Sequence, residues 1–191
     1  MIRQVLKARI IPWLFIGIVV ALMIGRWFWG SYLGDPLAPP ANLYDGRYRV
    51  EKIEDAVTLI VREDVEGAGA FRVRLAGISL PSEMDQRRSD QATELTRKFI
   101  EVESGQETGV GHRAGDPIVY LQFDRIFRDE DQRALAYLLR GDEVLNIELT
   151  KQGLALCDSV QGNSPAMNRR IKAAQAFAEN RKLGIHNGIT N

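Results

Sequence analysis

Beyond residue 46 the chain alternates between apolar and polar positions. "RYRVEKIEDAVTLIVRE" sets Val50, Ile53, Val57, Leu59 and Val61 as its apolar positions, the period of half-buried strands, with a corner at Glu54-Asp55. "VEGAGA" is a glycine turn. "FRVRLAGIS" resumes the alternation, with Phe71, Val73 and Leu75 on one face and Arg72 and Arg74 on the other, and Pro81 ends it. The period then lengthens to that of a helix. "SDQATELTRKFIEVES" carries Ala92, Leu95, Phe99 and Val102 at helical spacing, with Ser89 or Asp90 as N-cap. A glycine-rich loop over 105–115 leads to the strand "DPIVYLQFDR". "RALAYLLRGDEVLN" begins as a strand, turns at Gly141-Asp142 and enters the helix "EVLNIELTKQGLAL", which Gly153 interrupts or ends. In the last helix Ser164 is the N-cap, Pro165 sits at the first position, and Ile171, Ala174, Phe177 and Ala178 form the apolar stripe.

About five short strands, one helix among them and two after, predict an α+β domain built on a small closed barrel rather than a parallel sheet. The five-stranded Greek-key barrel of this kind is the OB-fold, here expected with about three packed helices.

The amino end follows another pattern. Residues 10–25 carry no charge, and continuing through Arg26 to residue 33 gives a helix at ~1.5 Å per residue enough length for a ~30 Å hydrocarbon core. Trp27, Trp29 and Tyr32 match an interfacial aromatic belt, and Arg26 can snorkel toward headgroups. Arg3, Lys7 and Arg9 precede the run with no acid among them, which predicts a cytoplasmic amino end. The rival is a cleaved signal peptide, but the run exceeds a usual signal core and "PLAPPA" is broken by prolines. The expected organisation is a basic cytoplasmic tail over 1–9, a transmembrane signal anchor over 10–33, a Pro-rich linker over 34–46 and an OB-fold domain over 47–187. The protein is then a single-pass membrane protein with its soluble domain on the extracytoplasmic side.

Composition changes this picture little. The chain of 191 residues is 45% hydrophobic and 26% charged with zero formal net charge, which argues against disorder and against a strongly basic nucleic-acid binder. A single cysteine, Cys157, excludes an internal disulfide and a multi-cysteine zinc site. His112 and His186 are far apart in sequence, which disfavours a histidine metal site or triad.

Four segments, in order, resemble the staphylococcal nuclease-like (thermonuclease) family: "IEDAVTLIV" its first hairpin, "FRVRLAGISLP" its arginine strand, "DEDQRALAYLL" its Tyr-Gly-Arg-x-Leu-Ala-Tyr strand, and "LNIELTKQGLAL" with "AAQAFAENRKLGIH" its carboxyl helices. The resemblance covers roughly residues 47–186. It implies a calcium ion held by two aspartates and a main-chain carbonyl, a glutamate acting on the attacking water, and two arginines gripping the phosphate. Such chemistry suits hard oxygen ligands on calcium and planar guanidinium forks on phosphate oxygens.

Carried over by position, Asp55 stands at the first calcium aspartate, and Arg74 and Arg133 at the phosphate arginines. Ser79 stands at the second aspartate, Leu80 at its Thr neighbour and Ser82 at the glutamate. Glu83 and Asp85 are candidates for shifted ligands. Ala56 replaces the Thr after the first aspartate, and "DQR" replaces the Tyr-Gly-Arg turn. The implied partners are nucleic acid or a nucleotide, the membrane through residues 10–33, and a protein. Other readings stand beside these: Asp55 as a turn residue capping local amides, Arg74 and Arg133 as surface cations paired with Glu54, Asp55 or Asp131, and Glu83 and Asp85 as solvated acids. The loop holding Asp124, Arg125, Arg128, Asp129, Glu130, Asp131 and Arg133 reads as a solvated ion-pair loop. Tyr120 and Tyr137 read as barrel packing or as base-stacking platforms. Two functions follow: a membrane-anchored domain that binds or hydrolyses phosphodiesters with a partly degraded site, or a catalytically inactive OB module for protein contact at the membrane.

Overall fold

The structure, a computed structural model, describes residues 37–65, 67–104, 117–158 and 164–187, with the side chains of 102–104 and 124–127 also set aside. The chain divides into the units Met1–Pro36 and Leu37–Asn191, and all described residues lie in the second. The expected membrane anchor, the 105–115 loop, His112 and the side chain of Val102 therefore lie outside the described residues. Among those described, no helix is long and apolar enough to cross a membrane.

The alternating segments become β1 (Gly46–Asp55), β2 (Thr58–Glu63) and β3 (Ala70–Leu75), followed by a short β4 (Ile78–Ser79). Helix α1 (Gln86–Ser104) leads to β5 (Ile118–Arg128), β6 (Ala134–Arg140), a two-residue β7 (Glu143–Val144) and α2 (Leu145–Lys151). Then come β8 (Leu156–Cys157), α3 (Pro165–Asn180) and a closing turn of 3-10 helix, Gly184–His186.

Strands β3, β2, β1, β5 and β6 lie side by side in that order, and β3 also pairs with β6, in parallel, so the sheet closes into a five-stranded barrel. Its interior takes one face of each strand. Tyr48, Phe71 and Phe123 meet edge to face there, with centroids 5.7 Å apart for Tyr48–Phe71 and 5.9 Å for Tyr48–Phe123. Each such ring removed from water contributes roughly 1.5–3 kcal/mol by burial alone. The fold is thus the α+β, five-stranded barrel with three helices that the alternation predicted.

Two local expectations change. Helix α1 starts at Gln86, not after Ser89 or Asp90, because the Asp85 carboxylate accepts the Arg88 amide at 2.8 Å and caps the first turn. In α3 the buried stripe is Met167, Ile171, Ala174 and Ala178. Phe177 instead faces outward beneath the Arg181 guanidinium, 4.8 Å from its ring centroid. Ser164 does cap that helix, accepting from the Met167 amide, with Pro165 first in the helix.

The Pro-rich stretch from residue 37 onward, composed like a spacer, is laid against the barrel. The Leu37 carbonyl accepts the Arg72 amide at 3.0 Å, and the Arg128 guanidinium donates to the carbonyls of Pro39 and Pro40. Asp45 accepts the Phe123 amide at 2.8 Å.

The glycines of "KQGLA" and "LGIH" have a steric cause. Gly153 and Gly184 both have positive φ, and their backbones touch: a Cβ on Gly153 would lie 2.3 Å from the Leu183 carbonyl oxygen, and one on Gly184 2.1 Å from that of Gly153. That contact fastens the chain end after α3 to the end of α2.

Candidate functional site

The barrel register places the predicted residues in one row. Asp55 closes the β1–β2 hairpin opposite Thr58, Thr58 pairs with Arg74, and Arg74 pairs with Leu135 across the parallel junction. Arg133 directly precedes Ala134, which lies against Val73. Phe71, Val73 and Leu75 are buried in the barrel, so alternation turns Arg72 and Arg74 outward, and the inward Ala134 does the same for Arg133. Three arginines therefore share the outer face of the β3–β6 junction, and Asp55 sits two strands away.

Their pairing differs. Arg72 binds Glu54 with Nε and Nη2, at 2.7 and 3.3 Å. This bond above all holds the Glu54 carboxyl below the usual carboxylate range, with added pull from the charges of Arg72, Lys52 and Arg133. Arg133 donates from Nε to Asp129 at 2.7 Å and from Nη2 to Asp131 at 2.8 Å. Arg74 is the exception: its Nε is buried and has no hydrogen-bond partner among the described residues. Leaving a buried donor unmet costs about 1–3 kcal/mol, and more when it is charged.

The row rests on two buried polar staples. Thr96 of α1 donates its hydroxyl to the Ala56 carbonyl at 2.8 Å and so pins the hairpin turn that carries Asp55. Asn146, fully buried at the start of α2, donates to the Ala76 carbonyl at 2.8 Å and accepts the Leu138 amide at 3.1 Å. It joins the turn between β3 and β4 to β6, and hence sets the path from Arg74 to Ser79.

The acidic side is built differently. One Asp55 oxygen accepts the Val57 amide at 2.7 Å, which is the turn-capping arrangement. Ser79 lies on β4, paired with Leu156, and Leu80 packs on the core. Ser82 and Glu83 are exposed. Both Asp85 oxygens serve Arg88, one taking its amide and the other its Nη1 at 2.7 Å. Among the described residues no three His, Cys, Asp or Glu side chains are grouped so as to hold a metal ion. Calcium takes six to eight oxygens, with several carboxylates among them in tight sites. Among the described residues the donors near this row, Asp55 with one oxygen engaged and the Ser79 hydroxyl, do not fit that shell.

The loop before β6 is less solvated than its mixed charge predicts, because the Asp129 side chain is only 6% exposed. Tyr137 is core, while Tyr120 is 42% exposed. Sequence reasoning did not single out Asn146 or assign Asp129 a role. The spacing of Asp129 four residues before Arg133 was the one visible signal, and nothing marks Asn146, whose side-chain partners Ala76, Ala136 and Leu138 all lie on other elements.

A closed five-stranded barrel with a helix after its first strands, two carboxyl helices and an outward arginine row defines the nuclease-like OB-fold class of protein. The family model described as "Staphylococcal nuclease homologue" matches residues 72–187. The chain belongs to that family. It is 29% identical over 143 residues to the thermonuclease of Staphylococcus intermedius, covering 72% of this chain and 74% of that protein. It is 26% identical over 150 residues to the thermonuclease of Staphylococcus hyicus, covering 76% of this chain and 78% of that one.

Proposed function

We propose that this domain binds the phosphate backbone of a nucleic acid or nucleotide through Arg74, assisted by Arg133, and that its metal side is degraded, so that calcium-dependent hydrolysis is lost or strongly reduced. The buried Arg74 Nε, without a hydrogen-bond partner among the described residues, carries the reading. A charged donor held dry on a surface shared with two other arginines is suited to a phosphate oxygen, and hydrogen bonds to charged groups contribute about 1.5–3 kcal/mol. The membership of the family and the two thermonuclease relatives support the same ligand class. Calcium is in keeping with the family, but the donors Ser79, Ser82 and a turn-capping Asp55 speak against a tight site. Glu83 and Asp85 would serve as shifted ligands only after α1 gave up its cap.

The charge-free run at the amino end supports a single-pass anchor over residues 10–33, with the barrel domain outside the cytoplasm. Protease protection of the full chain in membranes tests that topology, and digestion of the domain from the cytoplasmic face would refute it. For the function, the full chain in detergent is titrated with a labelled single strand and incubated with plasmid, with and without calcium. Binding that Arg74→Ala weakens more than tenfold, without calcium-dependent cleavage, is expected. Binding indifferent to Arg74→Ala would favour the protein-contact module instead, and calcium-dependent cleavage would overturn the degraded metal side.

A further inference from the structure

Arg133 does not present a free guanidinium. Asp129, nearly buried, holds it from behind: one carboxylate oxygen accepts the Arg133 amide at 2.9 Å, the other accepts Nε at 2.7 Å, and the Asp129 amide donates to the Arg133 carbonyl at 3.0 Å. Gln132 closes this turn with φ of +61°, in the left-handed region. The outer edge of the same guanidinium, Nη2, is taken by Asp131, whose side chain is 72% exposed. The two acids differ in what it takes to displace them. Asp129 is locked by three bonds inside a turn, whereas Asp131 is a solvated carboxylate on a single contact, and such pairs are worth roughly 0.2–1 kcal/mol.

We propose that Asp131 is an internal competitor that occupies the phosphate-facing edge of Arg133, and that Asp129 is the positioning residue that keeps this guanidinium in place for either partner. The proposal rests on the reading of Arg74 and Arg133 as phosphate ligands. A carboxylate and a phosphate oxygen present the same acceptor to a guanidinium edge, so an incoming phosphate must expel Asp131 before it gains Arg133. Asp131 then lowers affinity for every phosphate ligand, and does so through Arg133 alone.

The test uses the full chain in detergent and a short fluorescein-labelled oligothymidylate, followed by anisotropy at low ionic strength. Asp131→Asn is expected to tighten binding about 2–5-fold, the fold-change that corresponds to such an exposed pair. Glu130→Gln, an equal charge change on the neighbouring exposed residue, controls for general attraction to a polyanion and is expected to change binding by less. In an Arg133→Ala background the gain from Asp131→Asn disappears. In an Asp129→Asn background it shrinks, a coupling that mere loss of stability would not produce. If Asp131→Asn tightens binding no more than Glu130→Gln, or tightens it equally without Arg133, the competitor role is overturned. If Arg74→Ala still weakens binding more than tenfold in that case, the phosphate-binding reading survives. If the wild-type chain does not bind, or binds regardless of Arg74 and Arg133, both readings fall together.

Discussion

The two sides of the candidate site are held by different means. The arginine side is part of the barrel wall: Arg72 and Arg74 lie on β3, Arg133 abuts β6, and the register across the β3–β6 junction fixes their spacing. The acidic side runs from Ser79 to Asp85 between a two-residue strand and a helix cap, with its path set by Asn146 at one end and by Asp85 at the other. The lesson is about what each side can lose. Outward residues on a barrel strand keep their place whatever their identity, because the inward neighbours carry the packing. A loop that need only reach α1 tolerates serines and uses one of its two acids, Asp85, as a cap.

The comparison breaks most readily at Asn146. Asn146→Ala leaves the Leu138 amide without its side-chain acceptor and the Ala76 carbonyl without its side-chain donor, and is expected to cost about 2–4 kcal/mol, measured by urea unfolding. If stability hardly changes, the loop's path does not depend on this staple. On the arginine side, Arg74→Ala is expected to weaken single-strand binding by about 1.5–3 kcal/mol, more than tenfold, with little loss of thermal stability, since the change also removes an unmet donor. A large drop in melting temperature would show that Arg74 is structural.

The metal half can be tested by rebuilding it. Ser79→Asp with Ser82→Glu is expected to gain a calcium-dependent rise in melting temperature that the parent chain lacks. An equal calcium response in both would mean that the parent already holds the ion.

Glu54 offers a pH signature for the arginine side. Its carboxyl lies below the usual range because Arg72 bonds it in the folded state, so its contribution is present above the unfolded carboxyl pKa and is lost as pH falls through the lower folded value. Glu54→Gln is expected to flatten the acid limb of stability against pH in that window. An unchanged slope would mean that the Arg72–Glu54 bond does not persist in solution. The smallest expected effect is at Gln132. Relief of its left-handed backbone by Gln132→Gly is expected to add roughly 0.5–1 kcal/mol, and a loss of stability would show that the turn is unstrained.

Much of the fold could be read from the chain without coordinates. Alternation in 48–61 and 71–75 marked the barrel strands, Ser164-Pro165 marked the start of α3, and Gly153 marked the end of α2. The reading slipped where capping competed: Ser89, Asp90 and Asp85 are all capable caps, and only the turn after Pro81 decides that Asp85 is used. It slipped again at Phe177, where apolar character suggested burial and a neighbouring arginine instead covers the exposed ring.

By itself the sequence determined the strand and helix periods, the barrel class, the outward placement of Arg72 and Arg74, and the serines, rather than carboxylates, at positions 79 and 82. These are local or compositional properties, carried by a residue's type and its spacing from near neighbours. Only the tertiary structure decided that β3 closes in parallel on β6, that Arg133 is held by a buried Asp129 and capped by Asp131, and that Arg74 Nε is left without an acceptor among the described residues. Pairing and desolvation depend on which distant groups share a surface, and a side chain's identity does not encode its partner.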